Sequence, residues 1–205
     1  MGITLHKGDL PDGLRFEASV AVDSETMGLR PGRDRLCLVQ LSAGDGDAHL
    51  VQLPQGDFAA PNLKALMLDP SVTKIFHYAR FDIAVMQAYL GVMTTPIYCT
   101  KIASKLVRTY TDRHGLKDLC RELLGVDLSK QQQSSDWGAT DLSEEQRTYA
   151  ASDVLYLHRI RAILDERLAR EGRTDIAQAC FDFLPTRARL DLIRYEDEDI
   201  FSVGP

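Results

Sequence analysis

Three short β-type runs joined by two short connections constrain the fold more than any other feature of this sequence. The runs are 20–23, 36–41 and 49–53, and a turn rich in Gly and Asp at 44–47 separates the last two. Short connections suit antiparallel neighbours, because a parallel return needs a longer crossover. The sequence therefore predicts an antiparallel meander at the start of a β-sheet.

Helical and β-type patterns alternate through the rest of the chain. Pro61 suits the first turn of one helix, and Gly91 closes another. Ser143 and Gln146 form a capping-box pattern ahead of apolar residues at helical spacing, which predicts one long helix through about residue 168. The other predicted elements are helices at 61–68, 81–90, 101–109, 116–124 and about 174–193, and strands at 74–76 and 97–99.

The chain shows no repeat, low-complexity tract or linker, so we expect a single α/β domain with a mixed sheet over residues 1–205. Its 44% hydrophobic and 26% charged residues are typical of a soluble domain, and no apolar run is long enough for a membrane span. We find neither a secretory signal nor zinc-ligand spacing among the four cysteines. These features predict reduced thiols and a cytoplasmic protein.

Two carboxylates stand at the end of the first β-type run. Asp23 and Glu25 are two residues apart, so they point to the same face of a strand. Charge beside a core strand is costly unless something compensates it, and a bound cation would do so. The pair alone is equally compatible with a solvated strand end.

Two further acidic positions are ordinary when each is taken alone. Tyr149 and Asp153 are four residues apart on the predicted long helix, so their side chains project together. Asp82 lies where a strand runs into a helix, and a helix N-terminus favours a carboxylate there. The order of these positions along the chain, together with the elements on which they lie, indicates a function more specifically than any one position does.

Together these residues resemble the three motifs of the DEDD exonucleases, and Tyr149 is typical of the DEDDy branch. The histidine branch has His where this chain has Thr148. Beyond the motifs, the chain resembles ribonuclease D, and within that group the short nanoRNase C enzymes of alphaproteobacteria. Segments 23–40, 114–119 and 135–137 resemble ribonuclease D, and segments 99–105, 110–115, 130–137 and 169–174 resemble nanoRNase C.

The resemblance implies a ribonuclease H-like (DnaQ-like) fold, a mixed sheet flanked by helices, without the helical HRDC domain of ribonuclease D. It implies a 3′–5′ exoribonuclease that hydrolyses short RNA down to dinucleotides and releases nucleoside 5′-monophosphates, as a ring of eight subunits. Two Mg²⁺ or Mn²⁺ ions about 4 Å apart would serve the reaction. Asp23 would bridge them, Glu25 and Asp153 would hold the nucleophile-side ion, and Asp82 would make an outer contact. A phenol with a pKa near 10 is a poor base, so Tyr149 would orient the attacking water.

The residues that would bind substrate are less sharply defined. In the segment that begins at Thr26, Leu29 is a candidate wedge between the two terminal bases, or else a core leucine. His77 and Arg80 flank Asp82 and could reach a phosphate, although His77 could equally be a core histidine. The polar side chains of Gln132, Ser134 and Ser135 could bind sugar and phosphate, or form a plain polar loop.

The net charge of −6 is unusual for a nucleic-acid enzyme, and two divalent cations would offset most of it. Segment 101–130 carries seven basic and four acidic residues, so it is a candidate phosphate-facing surface or a solvated face. Candidate 5′-phosphate contacts from this segment are Lys101, Lys105 and Arg108.

Two other functions remain open. The same chemistry could act on tRNA 3′ ends or on DNA. Alternatively, an inactive exonuclease fold could serve as a nucleic-acid binding module, although the complete set of carboxylates speaks against it.

Overall fold

The computed structural model describes residues 2–129, 131–132 and 134–204. Within them, six strands form one mixed sheet in the order β1-β4-β3-β2-β5-β6. The strands are β1 (Ile3–Lys7), β2 (Ser19–Thr26), β3 (Leu36–Ser42), β4 (Ala48–Gln52), β5 (Thr73–Phe76) and β6 (Ile97–Cys99).

The antiparallel meander is confirmed, since β3 pairs antiparallel with both β2 and β4. The parallel β2–β5 and β5–β6 pairs make the sheet mixed, as predicted. Strand β1 was not predicted. It pairs in parallel with β4 at the sheet edge, a long-range contact that its half-exposed sequence does not reveal.

Helices cover the sheet. They are α1 (Pro61–Leu68), α2 (Ala79–Leu90), α3 (Thr100–Val107), α4 (Leu116–Leu119, continued by a π-helical turn over Cys120–Leu124), α5 (Glu144–Ser152), α6 (Leu157–Arg170) and α7 (Thr174–Leu192).

The predicted long helix is in fact two helices, α5 and α6. The capping box forms as expected, with Ser143 Oγ accepting from the Gln146 N–H at 3.1 Å. At the other end of α5, Ser152 Oγ donates to the Tyr149 carbonyl at 2.6 Å, which competes with the helical hydrogen-bond pattern. The chain turns over 153–156 before α6 begins. Asp153 is therefore the C-terminal cap of α5 and not a mid-helix residue.

Strand β2 runs three residues further than predicted, so Asp23 and Glu25 lie within it. Its pairing with β5 stops at Ala21, whereas its pairing with β3 continues to Thr26. Beyond Ala21, the edge of β2 that faces β5 is no longer paired with that strand. This gap in the sheet positions the site.

No helix among the described residues is both long and apolar enough to cross a bilayer. The four cysteines are free thiols, and all but the half-buried Cys180 are buried.

Candidate active site

Three carboxylates meet at the gap between β2 and β5. Strand alternation places Asp23 and Glu25 on one face of β2, and the end of α5 brings Asp153 to them. One oxygen from each residue lies within 4.8 Å of the others. The sequence separation of Asp153 from the pair shows that the tertiary fold builds the cluster.

Asp82 is near this cluster but outside the group of three, and its charge acts on Glu25. It is buried in the first turn of α2, and Ser24 Oγ donates to its Oδ1 at 2.7 Å. Ser24 sits between Asp23 and Glu25 on β2, so the same strand carries two cluster carboxylates and the residue that fixes Asp82.

Without bound cations, burial and mutual repulsion both disfavour the charged form of these carboxylates. Desolvation raises the pKa of all four carboxyls, and the neighbouring carboxylates raise the pKa of Glu25, Asp82 and Asp153 further. Divalent cations would relieve both effects. A purely carboxylate donor set suits hard ions such as Mg²⁺ or Mn²⁺, so the residues fit the predicted metals.

Tyr149 projects from α5 into the same space. Its ring packs against the buried Trp137 with centroids 6.0 Å apart. Desolvation, followed by the charge of Asp153, raises the pKa of the phenol. The hydroxyl therefore stays protonated near neutral pH and can donate a hydrogen bond.

A cleft of about 670 Å³ contains this cluster. Leu29, also in its wall, is 85% exposed, so the alternative of a core leucine is wrong. The predicted substrate contacts that line the cleft are Thr26, Leu29, His77, Lys101, Ser134 and Ser135.

His77 lines the cleft as a neutral ring. Its Nδ1 lies 2.9 Å from Thr100 Oγ1. Desolvation, and then the charge of Lys101, lowers the pKa of His77 to about 3. A hydrogen bond to substrate remains open to it, but a cationic contact with phosphate near neutral pH does not.

Two predicted phosphate contacts are corrected by the structure. Arg80 Nε and Nη2 each donate to Asp191 at 2.7 Å, which engages the guanidinium in a bidentate ion pair. Arg108 is fully buried and forms an ion pair with Glu122. Its cation therefore stabilises the chain internally and is not presented to a ligand.

Two other predicted contacts are not among the residues that line the cleft. Lys105 lines an apolar groove between α3 and α7. Gln132 is absent from the lining of the cleft and accepts a hydrogen bond from Ser135 through Oε1. Lys130, the last basic residue of the predicted phosphate-facing segment, lies outside the described residues.

Lys117 belongs to the predicted phosphate-facing segment 101–130, and it lines the cleft. Phe81 and Trp137 also line the cleft and were not predicted to belong to the site. Trp137 falls in a segment that resembles ribonuclease D, so the sequence carries a signal for it. Phe81 directly precedes Asp82, and its aromatic ring suits contact with a base.

The fold and this carboxylate-lined cleft define a class of protein, the 3′–5′ exonucleases. Residues 10–169 match the family model described as 3′-5′ exonuclease, and the chain belongs to that family. The predicted fold class and the ribonuclease D resemblance are both confirmed.

Relatives of this chain include ribonuclease D of Gluconacetobacter diazotrophicus, 38% identical over 162 residues. That alignment covers 79% of this chain and 41% of the relative, so the chain spans about two fifths of the ribonuclease D length. Brucella melitensis NrnC with bound Mg²⁺ is 56% identical with a TM-score of 0.95, and both chains are covered completely. Brucella melitensis NrnC bound to pGG is 57% identical with the same TM-score and coverage.

Proposed function

We propose that this protein is a 3′–5′ exoribonuclease that degrades short oligoribonucleotides down to dinucleotides and releases nucleoside 5′-monophosphates. The observation that carries the proposal is the exposed Leu29, which shares one cleft with the carboxylate cluster. An apolar side chain that is free on a surface beside a metal site is suited to contact bases while the phosphate reacts.

The cluster would hold two divalent cations, Mg²⁺ or Mn²⁺. Asp23 would bridge them, Glu25 and Asp153 would hold one ion, and Asp82 would make an outer contact; the proximity of the Asp23, Glu25 and Asp153 oxygens supports this assignment. Such ions stabilise charge on the entering and leaving oxygens and lower the pKa of water. The Mg²⁺ in the related Brucella NrnC supports this proposal.

Tyr149 would orient the attacking water. Its raised pKa keeps the hydroxyl protonated, so it acts as a hydrogen-bond donor and not as a base. Packing against Trp137 restricts the ring, which fixes where the hydroxyl points.

Substrate would lie along the cleft with its 3′ end at the cluster. Leu29 would insert between the two terminal bases, and the ammonium groups of Lys101 and Lys117 would face phosphates. Ser134 and Ser135 offer hydroxyls for sugar or phosphate oxygens. A cleft of this size and few cations suit a short strand better than a structured RNA.

The preference for very short RNA also draws support from the pGG-bound Brucella NrnC, to which this chain is similar over its whole length. The ribonuclease D relatives are more than twice as long as the matched region. Trimming of tRNA 3′ ends and hydrolysis of DNA are the alternatives, and the experiment below separates them.

We also propose that the protein forms a homo-oligomer, a ring of eight subunits, in the cytoplasm. An apolar groove between α3 and α7 supports self-association, because Ile102, Ile176 and Phe183 line it. Native mass spectrometry checks the proposal, and a monomer at micromolar concentration would contradict it.

End-labelled RNAs of two, five and twenty residues test the activity, with a DNA duplex and a tRNA precursor in parallel. We expect stepwise 3′ loss with Mg²⁺ or Mn²⁺, none with chelator, and the highest kcat/KM on the two-residue RNA. Asp23→Asn is the inactive control. Equal kcat/KM at all RNA lengths would contradict the short-RNA proposal, and preferred hydrolysis of DNA or tRNA would favour the corresponding alternative.

A further inference from the structure

A second cavity, which we call the outer cavity, adjoins the active-site cleft. It has a volume of about 650 Å³, and Leu29 and Phe81 belong to the walls of both spaces. An RNA substrate would have its 3′ end at the carboxylate cluster and its terminal bases at Leu29. Its upstream nucleotides would then extend toward the outer cavity. Residues in its far wall are therefore placed to affect how long a substrate can be.

The far wall comes from the end of α7 and the segment after it, and this segment is tied down. Arg80 Nη2 donates to the Glu196 carbonyl at 2.7 Å, in addition to the ion pair with Asp191. Arg187 donates to the carbonyls of Tyr195 and Glu198, the latter at 3.0 Å. Charge-assisted bonds of this kind are the stronger ones in proteins, so the segment is a fixed wall.

Arginines and acids are mixed in the outer cavity. Its charged lining residues are Arg30, Arg33, Arg80, Arg194, Asp191, Glu196 and Asp197. Arg33 is paired with Asp34, and Arg80 with Asp191. Glu196 and Asp197 line the same cavity as the remaining guanidiniums, those of Arg30 and Arg194, so two acids share the wall with them.

This balance matters because guanidinium is the side chain best suited to bind phosphate. With Arg30 and Arg194 uncompensated, the outer cavity would attract an upstream phosphate of the strand. With two exposed acidic residues in the lining of the same cavity, the same phosphate also meets like charge. Ionic strength modulates this interaction, because the Debye length is about 8 Å at physiological salt.

We propose that Glu196 and Asp197 are specificity-determining residues. Their negative charge repels upstream phosphates from the outer cavity and so limits the substrate to very short RNA. The inference rests on the proposed exoribonuclease function. It assigns the C-terminal segment a role in substrate length that is separate from the metal cluster and from Leu29.

The test uses a charge-neutral double variant, Glu196→Gln with Asp197→Asn, in the full-length protein. The anchoring bond at residue 196 is to its carbonyl, so the substitutions keep the segment in place. The matched control is Glu198→Gln with Asp199→Asn, which removes the same charge from the same segment but does not line the outer cavity. The measurement is kcat/KM for 5′-phosphorylated RNAs of two and five residues.

We expect the double variant to raise kcat/KM on the five-residue RNA about three- to tenfold and to leave the two-residue RNA unchanged. The gain should shrink between about 0.05 M and about 0.5 M salt, and adding Arg30→Gln should reverse it. The control should behave as wild type.

An unchanged ratio of the two kcat/KM values, or an equal change in the control, would overturn the proposal while leaving the exoribonuclease function standing. Wild-type protein with no activity on RNA, or with equal efficiency on both lengths, would overturn the proposed function and this inference with it.

Discussion

Gln40 Nε2 donates a hydrogen bond to Asp23 Oδ2 at 3.2 Å, and the two residues are directly paired on the antiparallel strands β3 and β2. Gln40 is fully buried, and the bond fixes the orientation of the carboxylate that we propose as the bridging metal ligand. Outer-shell partners of this kind typically contribute about 10–100-fold to metal affinity or activity. We therefore expect Gln40→Leu to weaken Mn²⁺ binding, measured by calorimetry, by at least about tenfold.

The control for that variant is Gln52→Leu, because Gln52 is also buried but donates to the Ala139 carbonyl at 2.8 Å, away from the cluster. Equal Mn²⁺ affinity in Gln40→Leu and wild type would show that β2 alone orients Asp23.

Asp23→Asn should abolish turnover and stabilise the metal-free protein. The substitution removes a charge that is both desolvated and close to Glu25 and Asp153, so it relieves repulsion in the folded state only. Chemical denaturation in chelator should show a higher free energy of unfolding, and wild type should recover the difference when Mg²⁺ is added. A destabilised variant would mean that Asp23 supports the fold, and activity within a few-fold of wild type would refute the metal assignment.

Tyr149→Phe should lower kcat by about 10²-fold or more and change KM little. The ring and its packing against Trp137 remain, and only the hydroxyl that positions water is lost. Tyr89→Phe is a suitable control, because Tyr89 packs against Phe58 and is not in the cleft lining. A change confined to KM would assign the hydroxyl to substrate binding.

His77 makes stability depend on pH with a definite sign. The folded-state pKa is about 3, whereas the unfolded chain titrates near 6.5. Above pH 6.5 neither state is protonated, but between 6.5 and 3 only the unfolded state gains a proton. The stability contribution of the neutral ring is therefore present above pH 6.5 and is lost as pH falls toward 3, by up to about 1.4 kcal/mol per pH unit.

The measurement compares the free energy of unfolding of wild type and His77→Gln from pH 7 to pH 4. Carboxylates titrate in both proteins and cancel in the difference, so the gap in stability between the two proteins should narrow as pH falls. Parallel curves would show that the ring is protonated in the folded protein.

Local signals predicted much of the fold. The meander follows from short connections, and α1 and β6 have the predicted bounds because Pro61 and short apolar runs mark them. The break between α5 and α6 was not predictable in the same way. It coincides with a side chain to backbone bond from Ser152, and no Gly or Pro marks it.

The carboxylates and Tyr149 were identified from motif order, and the structure brings them together. Two of the basic side chains predicted to contact phosphate do not do so, because Arg80 is paired with Asp191 and Arg108 with Glu122. An ion pair across 111 residues depends on the docking of α7 against α2, which no local pattern encodes. Basic residues in a sequence indicate available charge, but only the tertiary structure shows which charges are already paired.

Leu29→Ala separates stability from function. Leu29 is 85% exposed, so its truncation should change the free energy of unfolding by less than about 0.5 kcal/mol. If the side chain inserts between bases, however, the lost methyl and methylene groups would have been buried on binding, at about 0.8 kcal/mol each. Three carbons correspond to a rise in KM of about 30-fold or more on a two-residue RNA.

Leu68→Ala is the matched control, since Leu68 is 50% exposed on α1 and does not line the cleft. A KM for Leu29→Ala within twofold of this control would remove the wedge from the proposed function but would not affect the role proposed for the carboxylate cluster.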